Sequence, residues 1–159
     1  MTIVYLSLGS NVGDKEHAIT NALSLLSTHC TIKKISRLYL TEPISTIPQD
    51  WYVNCAIQAK TTLEPVELLA FIHTIEHKLG RVKTKKHGPR IIDIDILFYG
   101  RQIINTGDLI IPHPLLQDRL FVLQPLMDLN PTLKHPVLKK TIQTLYNEVS
   151  KEKKVTLYK

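Results

Sequence analysis

Two aspartates placed two residues apart are the strongest indication of chemistry in this chain. Asp93 and Asp95 lie in an apolar, β-branched stretch, and a strand has a side-chain period of two. Both carboxylates should therefore leave one face, about 7 Å apart, and the residues expected on the other face, toward a core, are Ile92, Ile94, Ile96 and Phe98. Two anions this close repel by about 2 kcal/mol in a partly shielded environment. A divalent cation bound by both would offset that repulsion, and a few hard oxygen ligands suit Mg²⁺, which also binds water and phosphate oxygens.

Basic residues lie just before the two aspartates. The segment from 81 to 90 contains Arg81, Lys83, Lys85, Lys86, His87 and Arg90. Cations beside a metal-binding carboxylate pair are typical of a polyphosphate site, because both kinds of charge neutralise phosphate oxygens. The alternative interpretation is an exposed strand face whose carboxylates are simply solvated, and the basic segment argues against it.

The composition indicates one globular domain over residues 1–159. Hydrophobic residues make up 43% of the 159 and charged residues 21%, and the formal net charge is +6. This charge fits a polyanionic partner, either a nucleotide or a nucleic acid. No segment approaches the ~20 apolar residues that span a bilayer, and the N-terminus lacks the pattern of a signal peptide. Cys30 and Cys55 share no metal-ligand spacing, so we expect reduced thiols and a cytoplasmic protein.

The pattern of apolar residues predicts an α+β domain. Strands are predicted at 2–8, 31–40, 53–61 and around the two aspartates, with helices at 15–28 and from Pro65 to a C-cap at Gly80. The order β-α-β-β-α-β is that of the ferredoxin-like fold, an antiparallel sheet with two helices on one face. Loops are expected at 41–50 and 81–89, and a C-terminal helical extension with helices at 119–128 and 138–149 should follow. The last lysines are expected to lie in a solvated tail: Lys151, Lys153, Lys154 and Lys159.

Several short motifs, taken in order, resemble one known family. They are Val4-Tyr5-Leu6-Ser7-Leu8-Gly9-Ser10-Asn11 with Gly13-Asp14, Thr41-x-Pro43, Tyr52-x-Asn54, Glu76 ahead of Gly80-Arg81, Gly88-Pro89-Arg90-x-x-Asp93-x-Asp95, Pro112-His113-Pro114, and Arg119-x-Phe121-Val122-Leu123-x-Pro125-Leu126. Together they resemble the 6-hydroxymethyl-7,8-dihydropterin pyrophosphokinases of folate biosynthesis, from Met1 to about Leu138. No single motif would suffice. The ordered set, with Pro-Arg-x-x-Asp-x-Asp at its centre, is specific to this family.

The resemblance implies a reaction and a set of roles. ATP would donate its β,γ-pyrophosphoryl group to the hydroxymethyl oxygen of a reduced pterin, and AMP would leave. The family's roles make Arg81, Arg90 and Asp95 catalytic, and make Asp93 and Asp95 the ligands of two Mg²⁺ ions about 3.5 to 4 Å apart. The residues implied for ATP binding are Leu69, His73, Glu76, Lys83, Ile96, His113 and Arg119, and those for pterin binding are Thr41, Ile44, Tyr52, Asn54 and Phe121.

The implied pterin residues also have a chemical reason to be there. A flat, hydrogen-bonding heterocycle needs aromatic faces, as Tyr52 and Phe121 would supply, and a group with both donor and acceptor, as the amide of Asn54 would supply. Simpler interpretations remain open for three residues. Phe121 could belong to the core, His113 between two prolines could be a turn residue, and Arg81 could interact only with a helix C-terminus.

The chain departs from the family pattern at several positions. His87 stands where many relatives have an aromatic residue, and Gln49-Asp50-Trp51 replaces the usual Gln-Pro-Asp. Lys83 stands where many relatives have arginine, and Leu115 where a basic residue often follows His-Pro. Each loss of arginine removes a forked donor from the neighbourhood of a phosphate. We therefore expect changed affinities, with the metal ligands and both central arginines retained.

Two other classes of function fit parts of the sequence. An RNA-binding module of this fold would need exposed aromatic residues on the central strands, where this chain carries Asp93 and Asp95. A metal-dependent phosphotransferase with another acceptor would have the same phosphate site, and only the residues implied for the pterin argue against it. The expected ligands are therefore ATP and 6-hydroxymethyl-7,8-dihydropterin, with no nucleic-acid or membrane partner. We expect a monomer without a fused dihydropteroate synthase.

Overall fold

The described part of the chain, residues 1–81 and 88–159 of a computed structural model, folds into a six-stranded sheet with helices on both faces. The strands are β1 (Thr2–Ser10), β2 (Cys30–Ile35), β3 (Tyr39–Thr41), β4 (Tyr52–Thr61), β5 (Asp93–Tyr99), β6 (Ile104–Asn105), β7 (Ile110–Ile111) and β8 (Val155–Leu157). The α-helices are α1 (Lys15–Leu26), α2 (Pro65–Lys78), α3 (Leu120–Leu129) and α4 (Ile142–Glu148), and a 3₁₀ helix covers Leu116–Asp118. Within these ranges, no helix has the length and apolar character needed to cross a membrane.

The large sheet is antiparallel, with the strand order β5-β1-β4-β3-β8 and β2 also paired to β4. The first part of the chain therefore has the order and pairing of the ferredoxin-like fold, which confirms the predicted α+β class. The predicted strand at 31–40 is two strands, β2 and β3. Between them Ser36 bonds to β4 through its side chain, because its Oγ accepts a hydrogen bond from the N–H of Ala56 (2.9 Å).

Two apolar cores lie on opposite faces of the sheet. On one face, α1 and α2 pack against residues of β1 and β4 that include Leu6 and Ile57. On the other face, α3 and α4 pack against residues that include Tyr5 and Ala56. The C-terminal helices thus form a second layer against the sheet, so that both faces of β1 are buried.

One residue of β5 lies on the opposite face from that predicted. Leu6 of β1 pairs with Ile96, whereas its neighbour Tyr5 pairs with Phe98, so Leu97 is the extra residue of a β-bulge. Phe98 therefore packs with Tyr5 and α3, on the face of the two aspartates, and its predicted position beside Ile94 and Ile96 is wrong. Strict alternation predicts which face of the sheet a side chain leaves only as far as the first bulge in the strand.

The C-terminal lysines are exposed, as expected, but the segment that carries them is not a free tail. Residues 155–157 form β8, which pairs with β3 and completes the edge of the large sheet. The N–H of Tyr158 continues this contact by donating to the carbonyl oxygen of Leu38 (3.0 Å). The last helix is also shorter than predicted: α4 begins at Ile142, and Lys139 has a positive φ of 59°.

Candidate active site

The two aspartates lie on β5, next to β1. Asp95 pairs with Ser7 and Asp93 with Gly9, so the strand beside the carboxylates carries small side chains. Both carboxylates are about equally accessible, with 37% of the Asp93 side chain and 38% of the Asp95 side chain exposed. They leave the same face of the sheet, as the alternation predicted. This pair is therefore open to a ligand on one side while its strand is fixed in the sheet.

The surroundings of Asp95 disfavour its negative charge. The partial burial of the group and the neighbouring charge of Asp93 raise the pKa of Asp95 well above its ordinary value. The positive charge of Arg119 opposes this shift only in part. A carboxylate pair in this situation gains from a bound cation, because the cation replaces repulsion with attraction.

Arg81 is placed beside Asp93 by the end of helix α2. Gly80 adopts a positive φ of 94°, and the N–H groups of Gly80 and Arg81 donate to the carbonyl oxygens of His77 and Glu76 (both 3.0 Å), which is a Schellman motif. The predicted C-cap at Gly80 is confirmed. This turn directs Arg81 back over the sheet, where its Nη1 lies 3.2 Å from Oδ1 of Asp93. Arg81 therefore does more than interact with a helix end.

Glu76 holds both Arg81 and strand β5. Its Oε2 accepts hydrogen bonds from Nη1 of Arg81 (2.5 Å) and from the N–H of Ile94 (2.9 Å). Burial raises the pKa of Glu76, and the hydrogen bond from Ile94 and the charge of Arg81 oppose that rise. The carboxylate thus connects helix α2, the guanidinium and the backbone between the two aspartates.

His113 lies on the other side of the aspartates. Its backbone N–H donates to the carbonyl oxygen of Leu97 (3.0 Å), which connects His113 to the bulge of β5. Burial and the charge of Arg119 lower the pKa of His113 to about 4, so the ring is neutral near pH 7. Nδ1 accepts a hydrogen bond from the N–H of Leu115 (3.2 Å), which leaves the ring proton on Nε2, 3.9 Å from Oδ2 of Asp95. His113 can therefore donate a hydrogen bond to an anion at this place.

Two cavities meet at Asp93, Asp95 and His113. The first, of about 260 Å³, also contains Thr41, Ile44, Tyr52, Asn54, Arg90, Arg119 and Phe121 of the predicted residues. The second, of about 360 Å³, also contains Leu69, His73, Glu76, Arg81 and Ile96. Lys83 and His87 lie outside the described residues. The residues predicted to bind the pterin thus line the first cavity, and most of those predicted to bind ATP line the second. The two cavities share a wall. Arg90, predicted to be catalytic, and Arg119, predicted to bind ATP, line the first cavity.

The first cavity combines aromatic faces with an oriented amide. Nδ2 of Asn54 donates to Oγ1 of Thr41 (2.5 Å), and Asn54 is buried. The amide lies against Gly9, where an added Cβ would collide with Oδ1 of Asn54, so a larger residue at this position would displace the amide. Phe121 is half-buried and faces the cavity, and the guanidinium of Arg119 lies 5.5 Å from its ring centroid. Burial and the charge of Asp93 raise the pKa of Tyr52, which keeps this ring neutral.

Asn11 is a site residue that sequence reasoning missed. Its Nδ2 donates to Oε1 of Gln49 (2.8 Å) and to the carbonyl oxygen of Asp50 (3.0 Å), and its Oδ1 accepts from the N–H of Arg90 (2.8 Å). The buried Asn11 thus joins the turn after β1 to two loops that border the first cavity. The motif at residues 4–11 contained it, but the sequence offered no sign of partners 38 and 79 residues away.

The second cavity also has lining residues that no motif suggested. They are Gly107, Asp108, Leu109 and Ile110, which lie around β7, whereas Pro114 in the same wall belongs to the Pro112-His113-Pro114 motif. A polar sequence between two short strands carries no specific signal of a binding wall. Proximity to His113 was the one available indication.

In comparison with known proteins, this chain is similar to pterin pyrophosphokinases. A family model described as 7,8-dihydro-6-hydroxymethylpterin-pyrophosphokinase matches residues 5–131. The 2-amino-4-hydroxy-6-hydroxymethyldihydropteridine pyrophosphokinases of Bacillus subtilis and Aquifex aeolicus are 43% and 41% identical, over 80% and 90% of this chain and 77% and 89% of their own lengths. The folic acid synthesis protein FOL1 of Dictyostelium discoideum is 48% identical over 86% of this chain, which corresponds to 21% of that protein.

Solved structures show the same fold. The Plasmodium falciparum HPPK-DHPS structure with pterin and p-hydroxybenzoate matches 92% of this chain and 41% of its own, with a TM-score of 0.75 at 21% identity. The chain thus spans less than half of such structures and about a fifth of the FOL1 protein. At this identity the structural match supports the fold alone. The family match and the identities to the two bacterial enzymes together establish that this chain belongs to the 7,8-dihydro-6-hydroxymethylpterin-pyrophosphokinase family.

Proposed function

We propose that this protein transfers the pyrophosphoryl group of ATP to the hydroxymethyl oxygen of 6-hydroxymethyl-7,8-dihydropterin, releasing AMP, as a step in folate synthesis. The observation that carries the proposal is the common wall of Asp93, Asp95 and His113 between two cavities of different chemistry. One cavity offers aromatic rings and an amide, as a heterocyclic acceptor needs. The other leads to Arg81 and helix α2. A donor and an acceptor bound on the two sides would meet at the aspartates.

Asp93 and Asp95 are the residues that would hold Mg²⁺, and we propose two ions, as the family resemblance implies. The donor set fits: two accessible carboxylates, one of them destabilised by its neighbour, provide hard oxygen ligands but too few to enclose a metal. Water and phosphate oxygens would complete the coordination. When bound, Mg²⁺ would neutralise phosphate charge and make the substrate hydroxyl easier to deprotonate.

The side chains around the aspartates would position and neutralise the phosphates. Phosphoryl transfer depends mainly on positioning and on charge stabilisation. Arg81 and Arg90 would act on the charge that develops during transfer, whereas His113 and Arg119 would hold the triphosphate, together with Lys83. Neutral His113 would donate through Nε2–H. The remaining ATP contacts are assigned to Leu69, His73, Glu76 and Ile96, all of which line the second cavity.

The first cavity would bind the pterin. Tyr52 and Phe121 would contact the faces of the ring, while Asn54 reads its edge and Thr41 fixes the amide of Asn54. Ile44 would cover the ring from the loop after β3.

A monomer is the proposed active form, since one chain supplies all these residues. A cytoplasmic location is proposed because Cys30 and Cys55 are buried without a disulfide.

The decisive experiment follows AMP formation from ATP with Mg²⁺, in the presence and absence of 6-hydroxymethyl-7,8-dihydropterin. We expect AMP and the pterin diphosphate in equal amounts, and no AMP without the pterin or after chelation of the metal. Isothermal titration of the pterin, with and without a non-hydrolysable ATP analogue, separates the alternatives. A phosphotransferase with another acceptor would bind the analogue but not the pterin, and an RNA-binding module would bind neither.

A further inference from the structure

The C-terminal strand β8 closes the edge of β3 next to the first cavity. Thr41 of β3 pairs with Tyr52 of β4 on one side and with Val155 of β8 on the other. The contact continues one residue into the following loop. There the N–H of Glu42 donates to the carbonyl oxygen of Lys154 (3.0 Å), and Oε1 of Glu42 accepts from the N–H of Lys154 (3.0 Å). Glu42 is thus bound to β8 through its backbone and its side chain together.

This double contact lies at the wall of the proposed pterin pocket. Glu42 and the next residues, Pro43, Ile44 and Ser45, line the first cavity. Thr41, immediately before them, orients the amide of Asn54. The second cavity is lined by α2, β5 and the residues around β7 instead. Any change in how β8 holds Glu42 should therefore act on one cavity and not on the other.

The loop from Glu42 to Trp51 is held at both ends by different partners. At its far end, Asn11 bonds Gln49 and the carbonyl of Asp50, and Nζ of Lys15 donates to the carbonyl oxygen of Trp51 (2.9 Å). At its near end the contact is β8. Ordering a free loop costs about 1–2 kcal/mol per residue in backbone entropy, so anchors formed before binding reduce the cost of binding.

We propose that β8, through its paired hydrogen bonds with Glu42, is a positioning strand that preorganises the Thr41–Ser45 wall of the pterin pocket. This inference rests on the proposed function, because it concerns affinity for the acceptor. The strand begins after residue 131, where the family match ends, so it adds a determinant of acceptor binding outside the matched region. Glu42 acts here as a positioning residue, through the wall it fixes.

The test compares Glu42→Ala with Lys154→Pro in the full chain. The first removes the acceptor and the second removes the donor of the same hydrogen bond, while only the first alters a side chain that lines the pocket. Both should raise KM for the pterin about 3- to 10-fold, the effect of ~0.7 to 1.4 kcal/mol expected for one hydrogen bond. KM for ATP and kcat should stay within about twofold. Thermal melting confirms that both variants are folded.

Two further variants distinguish positioning from direct contact. Glu42→Gln keeps an Oε1 acceptor for the N–H of Lys154 and loses only the 3.9 Å ion pair to Lys153, so it should restore pterin KM to within about twofold of the wild type. Lys159→Ala removes a surface contact to Glu16 at the other end of the segment and serves as the matched control. If Glu42→Gln raises pterin KM as much as Glu42→Ala does, or if Lys154→Pro leaves pterin KM unchanged, Glu42 binds the pterin itself and the proposal is overturned.

Hydrogen exchange separates this proposal from the proposed function. Amide protection at residues 40–45 should fall in Lys154→Pro and stay at the wild-type level in Lys159→Ala, whatever the substrate is. Unchanged protection in Lys154→Pro overturns the positioning role. An inactive wild-type enzyme with reduced protection in Lys154→Pro would instead contradict the assigned reaction and leave the anchoring of the wall intact.

Discussion

The guanidinium of Arg81 bridges two carboxylates of unequal environment, the buried Glu76 at 2.5 Å and the accessible Asp93 at 3.2 Å. Glu76 is held by β5 through the N–H of Ile94, so it fixes the arginine from behind. Asp93 faces the cavities. Binding of a cation by Asp93 would therefore change the ion pair between Asp93 and Arg81. The ion pair between Arg81 and Glu76 would stay as it is.

Glu76→Gln should separate activity from stability. Burial raises the pKa of Glu76 in spite of its two hydrogen bonds, so a neutral amide should change the free energy of unfolding by less than about 1 kcal/mol. The loss of the anion behind Arg81 should lower turnover at least about 10-fold, equal to ~1.4 kcal/mol of transition-state stabilisation. Thermal unfolding and kcat are measured on the same preparations, with the exposed Glu67→Gln on the same helix as control. An active but unstable variant would contradict the assigned anchor.

Asp95→Asn should abolish AMP formation while keeping the fold. The pKa of Asp95 is raised by burial and by Asp93, so its charge opposes folding when no cation is bound. We therefore expect a melting temperature in chelator equal to or above that of the wild type, and a smaller stabilisation by added Mg²⁺. Turnover above a tenth of the wild-type value would be incompatible with Asp95 as a metal ligand.

Asn54→Ala should weaken pterin binding by about 1 to 3 kcal/mol, because polar edge groups of the bound ring would lose their partner. ATP affinity should stay within a factor of about two, since the residues assigned to the phosphates lie on other elements. Matched titrations of the two ligands measure this, and Thr41→Val is the companion variant that frees the amide without removing it. Equal weakening of both ligands would make Asn54 a structural residue.

Asn11→Ala should affect turnover as well as pterin binding, unlike Asn54→Ala. The variant leaves the N–H of Arg90 without its side-chain acceptor and releases Gln49 and Asp50, so loops on two sides of the pocket lose their connection. A loss of about 1–3 kcal/mol in unfolding free energy is expected for these partly buried bonds. KM for the pterin should rise, because Gln49 and Arg90 line the first cavity, and kcat should fall, because Arg90 is assigned to the charge that develops during transfer. Asn105→Ala, at an exposed position in β6, provides the comparison; a rise in pterin KM with an unchanged kcat would refute the connecting role.

Asp128→Asn should lower stability in a pH-dependent manner without affecting activity. Burial alone would raise the pKa of Asp128, but hydrogen bonds from Arg37 and from the hydroxyl of Tyr39 (2.8 Å) outweigh it and lower the pKa. A depressed carboxyl pKa stabilises the fold above the unfolded pKa of about 3.9, and this contribution is lost as pH falls through the folded pKa. The melting temperatures of variant and wild type should differ at pH 7, and the difference should shrink as the pH falls below about 3.9. A difference that does not shrink with falling pH, or one shared by Asp118→Asn, would point to another cause.

The local elements of the fold were predictable, and the long-range contacts were not. The helices α1 and α2 and the strand of Asp93 and Asp95 follow from apolar periods that each segment carries in its own sequence. The bulge at Leu97 depends on how β5 pairs with β1, and the pairing of β8 depends on an edge that β3 leaves open. Both are decided by partners distant along the chain, so no local pattern predicts them.

The candidate site divides in the same way. The aspartate pair, the basic residues before it and the amide at Asn54 were indicated by residue types that suit the chemistry. The roles of Asn11 and Glu42 follow from hydrogen bonds that span 38 to 112 residues. A side chain whose purpose is to connect two loops looks, in the sequence, like any polar residue at the end of a strand.

Because of the bulge at Leu97, the odd-numbered and even-numbered residues of β5 exchange faces along the strand. Asp93 and Asp95, at odd positions, share a face with Phe98, at an even one, and α3 packs on that face. A deletion of Leu97 would restore strict alternation and still leave Asp93, Asp95 and Phe98 on one face, with Ile94, Ile96 and Tyr99 on the other. The inserted residue thus adds Leu97 to the core under α3 and supplies the carbonyl oxygen that accepts from the backbone N–H of His113, so its loss should detach His113 from β5 while the carboxylates keep their face.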